Sequence, residues 1–181
     1  MKFIYLILTI ILLTTDTSFF EFKAENELNQ WRIVNDGVMG GLSSGNIQWS
    51  EGNTAMVWSG IVSLENNGGF ASIRTLPKTY NVGDFKKIFL RVKGDGKTYK
   101  FRMRPSGDYD GIAYSLDFET TKDKWIEVEL LVEDFQPTFR GNIYSEYGKM
   151  KTELLQQIGF LIAGKQAGDF RLEVDWIQYE H

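Results

Sequence analysis

Alternation with a period of two is what most constrains the fold of this chain. From Thr98 to Arg104 (TYKFRMR), Tyr99, Phe101 and Met103 fall on one face and Lys100, Arg102 and Arg104 on the other. Ile112 to Glu119 (IAYSLDFE), Trp125 to Leu130 (WIEVEL) and Arg171 to Ile177 (RLEVDWI) repeat the pattern. Successive side chains of a strand point to opposite faces, so these segments read as half-buried antiparallel strands. Lys87 to Lys93 and Ile158 to Ala163 are more continuously apolar and read as central strands. Ala55 to Val62, Phe70 to Thr75 and Asn46 to Trp49 add further strands. Only Lys151 to Gln157 (KTELLQQ) reads as helical. About nine or more short strands and one short helix predict an all-β, two-sheet sandwich or jelly roll. Gly94-Asp95-Gly96 reads as a tight hairpin turn, because Asp-Gly supplies the positive φ such turns need. Asn66-Asn67-Gly68-Gly69 reads as a second turn. With no internal repeat or linker, residues 20–181 form one domain.

Ahead of that domain, Lys2 precedes an apolar run from Phe3 to Leu13 and a small, polar stretch from Thr14 to Ser18. Residues 1–18 therefore read as a secretory signal peptide, or as an N-terminal anchor if uncleaved. The run is shorter than the roughly 20 residues a spanning helix needs. The expectation is an extracytoplasmic protein, periplasmic or secreted, that touches a membrane only through this segment.

Composition narrows the chemistry. The formal net charge is −4, which disfavours nucleic acid as a partner. There is no cysteine, and the single histidine is the terminal His181. A cysteine nucleophile, a thiolate metal site and a histidine-based triad therefore have no residues to build on. An enzyme would have to rely on carboxylates, and no acidic pair stands out by spacing. No catalytic residue, metal or cofactor is expected. The basic stripe Lys100, Arg102, Arg104 reads as one side of cross-strand pairs with acidic residues of other strands, such as Asp117 and Glu119. Asp108, Asp110 and Gly111 (SGDYDG) read as an acidic turn exposed to water. Trp49, Trp58 and Trp176 read as core; Trp125 shares the phase of Glu127 and Glu129 and reads as partly exposed.

The unusual stretch is Trp31 to Gly45, WRIVNDGVMGGLSSG. No lysine follows its glycines as in a phosphate-binding loop, and no helix pattern starts there. Glycine lets a backbone turn at positive φ or approach another backbone closely. Val38 and Met39 are expected to tuck under the sandwich. Asn35 and Asp36 are expected to hydrogen-bond the turn and to offer their outer atoms to a ligand. This loop is expected to pack against the Asn66-to-Phe70 turn at one edge.

That stretch resembles the signature of the complex I intermediate-associated protein 30 family. The resemblance continues in order through LENNGGFASIR (Leu64 to Arg74), VKGDGKTYKFRMR (Val92 to Arg104), DFQPTFRG (Asp134 to Gly141) and IGFLIAGKQAGDFRLEVDWI (Ile158 to Ile177). It implies a galactose-binding-like jelly roll. It also implies a non-enzymatic chaperone for the assembly of complex I (NADH dehydrogenase), binding a protein partner such as a respiratory-complex subassembly. An extracytoplasmic carbohydrate-binding module, with a glycan as ligand, is the alternative. Motif membership makes Asn35, Asp36, Ser43, Asn66, Asn67 and Arg140 the candidate contacts. Gly37, Met39, Gly40, Gly41, Gly68, Gly69 and Phe70 are the structural positions of the same motifs.

Overall fold

The computed structural model describes residues 17–52 and 54–181, except for the side chains at positions 25, 38, 39 and 67. The Phe3-to-Leu13 segment lies outside these residues. Among the described residues thirteen strands follow in chain order. They begin with β1 (Ser18–Phe20), β2 (Trp31–Ile33), β3 (Ser44–Trp49), β4 (Met56–Val62) and β5 (Ala71–Thr75). Next come β6 (Lys87–Lys93), β7 (Thr98–Arg104), β8 (Ala113–Glu119) and β9 (Trp125–Leu131). The last are β10 (Gln136–Phe139), β11 (Asn142–Ile143), β12 (Gln157–Ile162) and β13 (Gly168–Glu180). One sheet has the order β3-β4-β13-β6-β9, with β1 also paired to β13. The other has the order β11-β10-β8-β7-β12-β5-β2.

The alternating residues build the core between the sheets. Ile88, Leu90 and Val92 of β6 and Met56 and Trp58 of β4 are buried against Tyr99, Phe101 and Met103 of β7 and Ile158, Phe160 and Ile162 of β12. Aromatic rings bury the most area per residue, and they meet edge-on here. Phe101 and Phe160 lie 5.3 Å apart between centroids, and Trp58 and Phe170 lie 4.7 Å apart. The predicted all-β sandwich is therefore the observed one.

Three local expectations are corrected. Gly94-Asp95-Gly96 is not a hairpin turn: β6 and β7 belong to opposite sheets, and the segment crosses between them. Asp95 holds the crossing. One oxygen accepts from the Lys97 N–H at 3.1 Å and the Tyr99 hydroxyl at 3.0 Å, and the other accepts from the Arg171 N–H at 3.1 Å. Lys151 to Gln157 is not a helix but a 3-10 turn, Thr152–Leu154, running into β12. Leu155 is buried while Leu154 is exposed, so no continuous apolar stripe exists to hold a helix. Trp176 is not a core residue. The register of β13 against β6 slips between Val174 and Trp176, a bulge that pairs Trp176 with Arg91 and leaves it half-buried. Trp125 is partly exposed at 38%, as its phase predicts.

Candidate functional site

Two chain crossings run side by side at one end of the sandwich. The β2–β3 connection leaves the seven-stranded sheet for the six-stranded one, and the β4–β5 connection returns. Because β2 pairs with β5 and β3 with β4, the two connections must meet. Asp36 joins them. It opens a 3-10 turn, Asp36–Met39, and is fully buried. Its Oδ1 accepts from the Ser43 N–H at 2.9 Å. Its Oδ2 accepts from the Ser43 hydroxyl at 2.5 Å, the Gly69 N–H at 2.8 Å and the Phe70 N–H at 3.3 Å. Burial works against the charge, but the bonds from Ser43, Gly69 and Phe70 outweigh it and hold the carboxyl below the usual carboxylate range. The Ser43 Oγ in turn accepts from the Ser63 N–H at 3.0 Å, and Asn35 Oδ1 accepts from the Ser72 N–H at 3.3 Å.

The glycines make room for this carboxylate. A Cβ on Gly41 would lie 2.4 Å from the Asp36 Cγ, and one on Gly68 would lie 2.7 Å from its Oδ2. Gly40 ends the turn at φ +89°, a left-handed conformation that disfavours other residues.

The structure brings together Asn35, Asp36, Ser43 and the Gly68-Gly69-Phe70 backbone. Asn66 and Asn67 sit in the same 3-10 turn as the residues just before Gly68, with Asn66 exposed at φ +53°. Gly37 is exposed, and a Cβ there would meet nothing within 4 Å. Asp36 is not a surface contact: both of its oxygens are used internally. Arg140 does not join this cluster. It lies in the β10–β11 turn, at the opposite edge of the seven-stranded sheet, paired with Asp110 at 2.6 Å. The expected tuck of Val38 and Met39 concerns side chains outside the described residues.

Two features escaped sequence reasoning. The first is a groove of about 680 Å³ between the edge strands β2 and β3. Leu28, Trp31, Ile33, Ile47 and Trp49 line it with the amides of Asn29, Asn46 and Gln48. The indole N–H of Trp31 is buried without a partner. Ile33 and Ile47 were legible as strand residues, but that they share a groove depends on how the two sheets stack.

The second feature is an arginine row on the outer face of the seven-stranded sheet. Arg32 pairs with Arg74, Arg74 with Gly159, Gly159 with Arg102, and Arg102 with Ser115. Arg104 follows along β7 and donates to the Gly111 carbonyl at 2.9 Å. Arg74 donates to the Tyr109 carbonyl at 2.9 Å and lies 5.0 Å from that ring. Burial, reinforced by neighbouring guanidiniums, lowers Arg74, Arg102 and Arg104 to about 10. The expected cross-strand ion pairs hold only for Lys100, which meets Asp117. Arg102 and Arg104 form no ion pair with any described residue, because register places Ser115, Gly159 and Gln157 beside them.

The profile of the family Complex I intermediate-associated protein 30 matches residues 20–174. The chain belongs to that family. A Mus musculus relative, "Complex I intermediate-associated protein 30, mitochondrial", is 25% identical over 87% of this chain and 54% of its own length. A Drosophila melanogaster relative of the same name is 22% identical over 90% of this chain and 62% of its own length. The chain thus spans only about half to three-fifths of the curated relatives it matches. Among solved structures, a family 11 carbohydrate-binding module of a Clostridium thermocellum cellulosomal cellulase superposes with a TM-score of 0.68. It is 15% identical, over 91% of this chain and 94% of that one. An exo-β-agarase structure gives 0.55 at 8% identity, over 91% of this chain and 26% of that one. These likenesses establish the galactose-binding-like jelly-roll fold.

The expected extracytoplasmic location is overturned, because the relatives are named as mitochondrial proteins. An apolar run behind one lysine reports hydropathy, and hydropathy alone is a weak address. Among the described residues no helix is long and apolar enough to cross a membrane.

Proposed function

We propose that this domain is a non-enzymatic assembly factor that holds a protein partner, a subassembly of respiratory complex I, in the groove between β2 and β3. Family membership across residues 20–174 is the observation that carries this reading. The groove supplies a fitting surface. It is apolar at its base, carries amides at its rim, and lies between two edge strands whose outer backbone groups are open to pairing. The segments flanking the Asp36 junction also expose Leu42, Ile61 and Leu64. Exposed apolar residues grouped in this way mark interaction surfaces. The junction itself fixes the spacing of β2 and β3, and so the width of the groove, without touching the partner.

A glycan reading rests on the likeness of fold alone. One experiment separates the two: capture from detergent-solubilised membranes that contain complex I, run beside a glycan array. Capture of complex I subunits by the unaltered chain, and loss of capture in Ile47→Lys, is the expected result. Glycan binding with no complex I subunit captured would reject the proposal.

A further inference from the structure

The outer face of the seven-stranded sheet holds a row of arginines separate from the edge groove. Arg32, Arg74, Gly159, Arg102 and Ser115 lie on one rung across β2, β5, β12, β7 and β8. Neighbouring strands are about 4.8 Å apart, so Arg74 and Arg102 flank Gly159 across roughly 10 Å. Gly159 contributes no side chain to that interval. A Cβ there would lie 2.3 Å from the Ile73 carbonyl oxygen and 2.9 Å from the Arg74 Cβ, so the floor stays bare. The result is a bare stretch of backbone between two arginines.

The row carries unused donors. Arg74 is only 6% exposed, yet its Nε has no partner. Nε and Nη2 of Arg32 and Nε of Arg102 are likewise buried and unpartnered. Buried donors are almost always paired in native structures, and each exception asks for a water, an ion or a ligand. The charge is unanswered as well. Among the described residues no carboxylate forms an ion pair with Arg32, Arg74, Arg102 or Arg104; the nearby Asp110 is taken by Arg140. Tyr109 lies over Arg32 and Arg74, at 5.9 and 5.0 Å, in an exposed loop that includes Gly107 and Gly111. Its ring is the solvent-facing side of the row.

One ligand chemistry answers both deficits. A carboxylate brings one charge and two oxygens. A phosphate monoester brings close to two charges and three strong acceptors. The planar fork of arginine binds phosphate through two parallel bonds. We infer that this arginine row binds a phosphate group, as free phosphate or diphosphate or on a small phosphorylated molecule, between Arg74 and Arg102 beside the Tyr109 ring.

The test is calorimetric titration and thermal melting of the full chain with inorganic phosphate, pyrophosphate and glycerol phosphate, each against chloride at matched ionic strength. Saturable binding and a melting point raised by several degrees are expected with at least one phosphate species and not with chloride. Comparing the three ligands separates free phosphate from an organic phosphate. Arg102→Gln should weaken binding at least tenfold, and Arg102→Lys, which keeps the charge and loses the fork, should fall between. Lys124→Gln removes an exposed cation just before β9, in the other sheet, and should leave binding unchanged. If Arg102→Gln does not fold, Arg32→Gln at the sheet edge takes its place. The inference is overturned if all three phosphate species act no differently from chloride. Equal weakening by Lys124→Gln and the row variants would overturn it too, because that marks general screening rather than a site.

Discussion

Replacing Asp36 by alanine isolates the junction between the two crossings. The change removes the acceptor for the Ser43 N–H, the Ser43 hydroxyl and the Gly69 and Phe70 N–H groups. Hydrogen bonds to a charged group contribute roughly 1.5–3 kcal/mol each, and they are not additive in one cluster. Some donors regain water as the loops loosen, so the expected loss is about 3–5 kcal/mol, the upper range for a single substitution. For a domain of this size that corresponds to a melting point lower by roughly 6–20 °C. Asp36→Asn should cost less. Its oxygen can stay where Oδ2 accepts three bonds, but its amide nitrogen then faces the Ser43 N–H. Circular-dichroism melts and urea titrations of the three proteins give the comparison. A fall of under about 2 °C in Asp36→Ala would refute the reasoning, and would return Asp36 to the role of a ligand contact.

Acid should act through the same group. The folded carboxyl titrates below its unfolded value of about 3.9, so its stabilisation is complete above that value and lost as pH falls through the folded pKa. The stability gap between the unaltered chain and Asp36→Asn should therefore hold at neutral pH and narrow below about pH 4, as urea midpoints across pH would record. Gly40→Val forces a β-branched residue to φ +89° and should destabilise by about 1–3 kcal/mol in a thermal melt. Arg140→Ala breaks an ion pair with both partners largely exposed and should change stability by less than about 1 kcal/mol.

What was legible in the chain was local. Period two placed β7, β8 and β9 and their inward residues, because the pleat imposes the pattern directly. The glycines beside Asn35 and Asp36 announced a close approach, although the partner they make room for is a buried carboxylate. What escaped depends on register and on which sheet a strand joins. Gly94-Asp95-Gly96 looks the same whether it turns a hairpin or crosses between sheets. Arg102 reads as one half of an ion pair until register sets Gly159 and Ser115 beside it. The bulge at Asp175 turns Trp176 outward with no residue that announces it. The groove exists only because two edge strands from different sheets lie alongside each other.

The proposed seat of the complex I subassembly is the β2–β3 groove. A photo-crosslinking residue at Gln48, which is exposed on the groove rim, tests it most directly. The same group at Glu119, exposed at the end of β8, serves as the control. After irradiation in membranes assembling complex I, adducts to its subunits are expected from position 48 and not from position 119. Adducts from position 119 alone, or from neither position while the partner is still captured, would contradict the claim.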